Sequence, residues 1–297
     1  MPRALGKGEA MIGKLSWMAL ATSLACAGLG LLLWLGISIA LLQGSGTEMI
    51  PLRSMQRTGL LLACALSLAA VYSLHSASSN ASGARWQRLA IVALVLALAA
   101  SAALMVLLTR QSPDAGWVSI AAALMSLGAI GTILALGMLI AAGGRPQWRQ
   151  QMVAPNSLAY ALLAGAALLF ALIAIKWPGQ GVFSAPAPSM IMLLVVMGAL
   201  KLLYWFENGG MRARVADHPG EEALRMRLWV LALLVLVPLL LCAGLILWPG
   251  LAPRAGWCVI ALAVLAGGYC DHQLLTAEAG FPARIGELPV AITTSKK

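Results

Sequence analysis

Charge is what this 297-residue chain has least of. Only 10% of its residues are Asp, Glu, Lys or Arg, against 61% apolar, a composition far from that of soluble domains. The longest polar stretch, Glu207 to Arg227, leaves no room for a soluble catalytic domain. Period-two alternation is missing too, which excludes a membrane β-barrel. The five cysteines (Cys26, Cys64, Cys242, Cys258 and Cys270) form no C-x-x-C pair. Their scatter supports no disulfide framework, zinc site or iron–sulfur site, and they read as small buried apolar residues. The internal repeats that many transporters carry are not visible.

Histidine is nearly as scarce. A haem held between helices takes two axial histidines, so two haems take four. The chain has only His75, His218 and His272, which excludes a two-haem cytochrome anchor. His218 lies in the polar stretch before Pro219, so His75 and His272 are the one pair left for a single haem. The expectation is that the chain carries no haem and no metal.

What remains is apolar, in eight blocks. They run approximately Trp17–Leu42, Gly59–Leu74, Leu89–Thr109, Trp117–Ala142, Leu158–Ile175, Met190–Phe206, Leu228–Leu247 and Trp257–Tyr269, the last helix continuing to about His272. Most approach the ~20 residues that cross a bilayer core, and the shorter ones can extend into their flanks. Lipid offers no partner to backbone amides, so each block is expected to be a helix. The fold class is therefore all-α: one integral membrane domain, residues 1–297, with eight transmembrane helices. The first block follows Lys7, Glu9 and Lys14 without a small-residue cleavage site, so it reads as a retained helix.

The net charge of +10 reports topology before anything else. Fourteen of the 20 Lys and Arg fall on the amino-terminal side of the alternating blocks. Arg53, Arg57, Arg110, Lys176 and Arg254 fall on the other side, and Lys201 lies inside the sixth block. Both termini are thus expected in the cytoplasm, the chain sitting in the inner membrane with no role for nucleic acid. No Asp or Glu lies deep in a block, and Lys201, about a turn from a helix end, is expected to snorkel to the interface. That weakens a proton-coupled transporter, which depends on buried ionisable groups. Gly28, Gly30, Gly128, Gly131, Gly137, Gly165 and Gly198 are expected at close helix contacts, not at helix breaks.

Polar residues gather where the even-numbered blocks end. Tyr72 and His75 close the second helix, and Arg85, Trp86 and Arg88 lead into the third. Tyr204, Trp205 and Glu207 end the sixth, and Tyr269, Asp271 and His272 end the eighth. Singly, each suits an interfacial belt. As a set they suit a quinone headgroup, which needs donors to its carbonyls and a group that passes protons near neutral pH.

Short strings carry a family likeness. Thr22–Leu32 (T-S-L-A-C-A-G-L-G-L-L) resembles the T-T-L-S-G-A-G-Y-G-L-L segment in the first helix of the dimethyl sulfoxide reductase membrane-anchor family. Leu74-His75 is similar to its L-H-L-G-x-P motif, although Ser76–Asn80 replaces the Gly-x-Pro. Ala84–Leu89 resembles its R-A-W-R-A-L continuation, Thr109-Arg110 with Trp117 its third-to-fourth helix junction, and Lys201-Leu-Leu-Tyr204-Trp205 its K-L-x-Y-W. The family's acidic residue near the start of the third helix has no counterpart in Leu89–Thr109, and its carboxyl-terminal motif is only echoed by Gly267-Gly268-Tyr269.

The resemblance implies an eight-helix, haem-free anchor that exchanges electrons between membrane quinone (menaquinone or ubiquinone) and an iron–sulfur subunit. That subunit would in turn serve a molybdopterin catalytic subunit acting on a sulfur compound such as sulfite or a sulfoxide. On this reading His75, Arg85, Tyr72, Tyr204, Asp271 and His272 form the quinone site. Arg88, Arg212 and Arg214 then meet the iron–sulfur subunit on the cytoplasmic face. A transporter or permease, and a purely structural membrane tether, are the alternatives.

Overall fold

The structure is a computed structural model that describes residues 3–42, 50–76, 81–110, 114–143, 152–176, 186–212, 221–248 and 253–279. The described residues are helical throughout apart from short turns at helix ends, with no strand among them. Eight helices are long and apolar enough to cross a membrane: Trp17–Leu41, Leu52–Ser76, Gly83–Leu107, Ala115–Ala142, Val153–Lys176, Ala187–Phe206, Leu224–Leu247 and Arg254–Thr276. They match the eight apolar blocks in number and order. The second and eighth extend well beyond their blocks, because residues 52–58 continue the second helix at its start, and residues 254–256 and 273–276 continue the eighth at its two ends.

The first and fifth spans form the centre. About two-thirds of the first is buried, against 28% of the seventh, and the first packs on the second, fourth, fifth and eighth. Small residues permit this crossing. A Cβ on Gly165 would lie 2.2 Å from the Gly30 carbonyl carbon, and one on Gly30 would lie 1.8 Å from the Ala161 carbonyl oxygen. The two backbones therefore touch, which in lipid replaces the hydrophobic drive that water would supply. Trp34 locks the same crossing by donating its Nε1–H to the Leu162 carbonyl at 2.8 Å. Gly28 meets the Ser67 backbone, Gly128 the Ala97 backbone and Gly137 Ala154 in the same manner, so these glycines sit at close contacts as expected. Gly198 does not, since a Cβ there would come no nearer than 3.6 Å, to the Val235 side chain.

Two spans depart from regular helix. The second is interrupted at Leu68, between Ile50–Ser67 and Ala69–Ser76. The seventh contains a π-helical turn, Ala232–Leu236, closed by the Val237 N–H on the Ala232 carbonyl. Pro238 accounts for it: proline has no N–H for the Leu234 carbonyl, and a wider turn accommodates the lost bond. Gly267 of the eighth span presses against this turn, its absent Cβ leaving room for the Leu234 backbone.

Candidate functional site

Among the described residues, Lys201 is the buried cation. It is wholly buried, and its Nζ donates to Asp271 Oδ1 of the eighth span, itself 1% exposed. This corrects the expectation that Lys201 snorkels. The sixth and eighth spans turn both side chains inward, where a carboxylate satisfies the ammonium and outward extension is unnecessary. Each residue lies five positions from the end of its span, Phe206 and Thr276 respectively. The pair is thus a little over a turn inside one membrane face, the face where odd spans begin and even spans end. Lys201 also stands 5.9 Å from the Tyr204 ring centroid, one turn along the same helix, in cation–π geometry.

The fifth and first spans extend the cluster. His272, 2% exposed, directs Nδ1 to the carbonyl of Gly268 at 2.8 Å. A carbonyl only accepts, so Nδ1 carries a proton and Nε2 is the ring nitrogen left to accept or release one. That Nε2 is buried without a hydrogen-bond partner. The Tyr160 ring packs edge-on to the imidazole, centroids 5.2 Å apart, and its hydroxyl meets Ser23 Oγ of the first span at 2.7 Å. Gly268 makes this possible, since a Cβ there would lie 2.1 Å from the Tyr160 ring. Ser23 follows Thr22, whose hydroxyl pairs with Ser73 Oγ of the second span at 3.0 Å.

Several polar atoms here are buried and unpartnered: Asp271 Oδ2, His272 Nε2, and both amide atoms of Asn156. Asn156 lies one turn before Tyr160 on the fifth span, so it shares that helix face. Buried polar groups are normally satisfied, and these four atoms all lie toward one end of an apolar bundle. Among the described residues no three His, Cys, Asp or Glu side chains converge. The imidazole, carboxylate, phenol and amide groups gathered here are hydrogen-bonding groups, and the imidazole and carboxylate can also exchange protons.

The structure divides the six predicted quinone ligands into two groups. Tyr204, Asp271 and His272 join Lys201 in the buried cluster. Tyr72, His75 and Arg85 are exposed on the outside of the bundle, on the second span and the start of the third. The first span packs on both the second and the eighth, which do not pack extensively on one another. Nearby, Gln87 Nε2 donates to the Leu74 carbonyl at 2.8 Å and ties the two outer helices together. Of the predicted partner contacts, Arg88 is exposed, Arg212 ends its helix with its side chain outside the described set, and Arg214 lies outside the described residues.

Sequence reasoning missed Tyr160, Asn156 and Ser23. Tyr160 and Asn156 carried a signal: both are polar side chains near the start of an otherwise apolar span, on one helix face. No family model, characterised protein or solved structure is significantly similar to this chain.

Proposed function

We propose that the chain is the membrane-anchor, quinone-interacting subunit of a molybdenum and iron–sulfur oxidoreductase. Both termini would lie in the cytoplasm, and the chain would pass electrons between an iron–sulfur subunit and membrane quinone. One observation carries the reading: Lys201 and Tyr204, two residues of the sixth-span string that resembles the anchor family, build the buried charged cluster with Asp271 and His272. Intramembrane charges are retained for function more often than for stability.

The residues fit a quinone headgroup in kind. His272 Nε2 and Asp271 Oδ2 are buried polar atoms awaiting a partner, and an imidazole exchanges protons near neutral pH. Tyr72, His75 and Arg85 are exposed along the outer surface, where an isoprenoid quinone would first meet the protein. A bound quinone supplies two-electron, two-proton chemistry, while these side chains orient the headgroup and move its protons. On this reading the surplus of Lys and Arg would set the cluster near the cytoplasmic face, and Arg88, Arg212 and Arg214 are the cations proposed to meet an acidic partner surface.

Affinity purification of the tagged chain from native membranes tests the reading. It should bring down an iron–sulfur protein and a molybdopterin protein, and the complex should oxidise or reduce quinone analogues. Recovery of the chain alone, with intact membranes showing no quinone-linked activity dependent on it, would refute the proposal. Reporter fusions at Ser45 and after Lys297 should report opposite compartments.

A second reading rests on the buried pair itself. An intramembrane lysine–aspartate pair beside a histidine is the equipment of an ion-coupled transporter, which the apparent lack of buried acids had disfavoured. Substrate uptake by vesicles containing this chain alone would favour that reading over the anchor.

A further inference from the structure

A second polar site lies at the opposite face, away from the cluster. Arg53, Ser54, Arg57, Thr58 and Leu61 line a cavity of about 380 Å³ at the start of the second span. That volume falls within the range of small-ligand pockets. The spacing is helical: Arg53 with Arg57, and Ser54 with Thr58, stand one turn apart and face the same way. Arg57 is anchored at its tip, where Nη2 donates to the Leu108 carbonyl at the end of the third span. Its Nε is buried without a hydrogen-bond partner. A buried guanidinium N–H left unpaired is costly, and an anionic oxygen is the partner that best relieves it.

Topology gives these arginines no reason to be there. They are two of only five cations assigned to this face, against fourteen on the other. Arg57 lies five residues inside a span that begins at Leu52, about 8 Å deep at the helical rise. That is the level where headgroup gives way to hydrocarbon. Below the cavity the same helix continues outward-facing and apolar, with Leu61, Leu68 and Val71 each more than half exposed.

From this combination we infer that the cavity binds an anionic phospholipid. The phosphate takes the guanidinium N–H groups of Arg53 and Arg57 and the hydroxyl of Ser54. Thr58, whose hydroxyl donates to the Ser54 carbonyl at 2.9 Å, lines the cavity beside them, and an acyl chain lies along the Leu61–Val71 ridge. A free phosphate shares the headgroup chemistry but has no use for the ridge, which is why the lipid is the assigned occupant.

Native mass spectrometry of the full chain, titrated with phosphatidylglycerol or phosphatidylcholine, tests the site. Phosphatidylglycerol should bind more tightly by roughly tenfold, the value of one or two charge-assisted hydrogen bonds. Arg53→Gln/Arg57→Gln should abolish that preference, while Arg254→Gln, an exposed arginine of the same face outside the cavity, should keep it. Arg53→Gln alone leaves the Leu108 tie in place and should still weaken the preference severalfold, which covers misfolding of the double variant. Equal binding of the two lipids, or a preference untouched by the arginine changes, would overturn the assignment. Displacement of the lipid by inorganic phosphate at equal concentration would reassign the cavity to a free anion.

Discussion

Two polar groups share one end of this bundle and differ in almost every physical respect. The inner group, Lys201, Asp271, His272, Tyr160 and Tyr204, is sealed among five spans once Ser23 and its neighbours are counted. The outer group, Tyr72, His75, Arg85 and Arg88, is exposed on the second and third spans. Residue type alone does not separate them, since each has a histidine, a cation and a tyrosine. Burial does. An exposed cation at a membrane interface is solvated and replaceable, whereas a buried one must have its partner or the local fold fails.

The largest expected effect breaks the inner group. Lys201→Met or Asp271→Asn alone leaves an uncompensated polar group in a dry site and should destabilise the protein by about 3–5 kcal/mol. Thermal unfolding of purified protein, or the yield of folded protein, should show it plainly. The double change Lys201→Met/Asp271→Leu removes both charges and should recover most of the loss. Arg85→Gln and Arg88→Gln in the outer group should leave stability within about 0.5 kcal/mol of the parent. If the single and double inner variants behave alike, the two side chains are not coupled and the pair is not the unit described.

Next in size is Gly268→Ala. Its new methyl would collide with the Tyr160 ring, which is fixed by Ser23 and His272 and cannot give way cheaply. Overpacking of this kind costs about 1–3 kcal/mol, and a lowered melting temperature should report it. Tyr160→Phe is milder. It keeps the ring contact and loses the bond to Ser23, for about 0.6–1 kcal/mol by thermal unfolding. A loss above that range would mean the Tyr160 hydroxyl holds more of the cluster than Ser23 alone.

Eight helices were readable from the apolar blocks because lipid imposes one solution on every long apolar run. The close glycines were readable for the same kind of reason, and Gly30, Gly137 and Gly165 lie where backbones touch. The site was only half legible. His272, Asp271 and Tyr204 stood out as polar residues at helix ends, yet helix ends are also where solvated residues collect. Which way a residue faces depends on neighbouring helices, and a single sequence does not contain that packing. Lys201 shows the failure most clearly. A lysine one turn from an interface can snorkel, and only the position of Asp271 on another helix makes burial the better choice. The π turn before Pro238, by contrast, follows from local chemistry and could have been anticipated.

The central claim is that the inner group, not merely the exposed His75, serves the quinone reaction. In an assembled complex His75→Ala should reduce quinone-linked turnover while leaving activity with a soluble dye intact, if the outer group meets the quinone first as proposed. The most direct measurement is the same assay on His272→Ala. It should lower quinone-linked turnover by about 10²-fold, the usual cost of losing a positioned proton-transfer group, with dye-linked activity and assembly unchanged. Unchanged quinone-linked turnover in a correctly assembled His272→Ala complex would contradict the account and leave the buried cluster as structure alone.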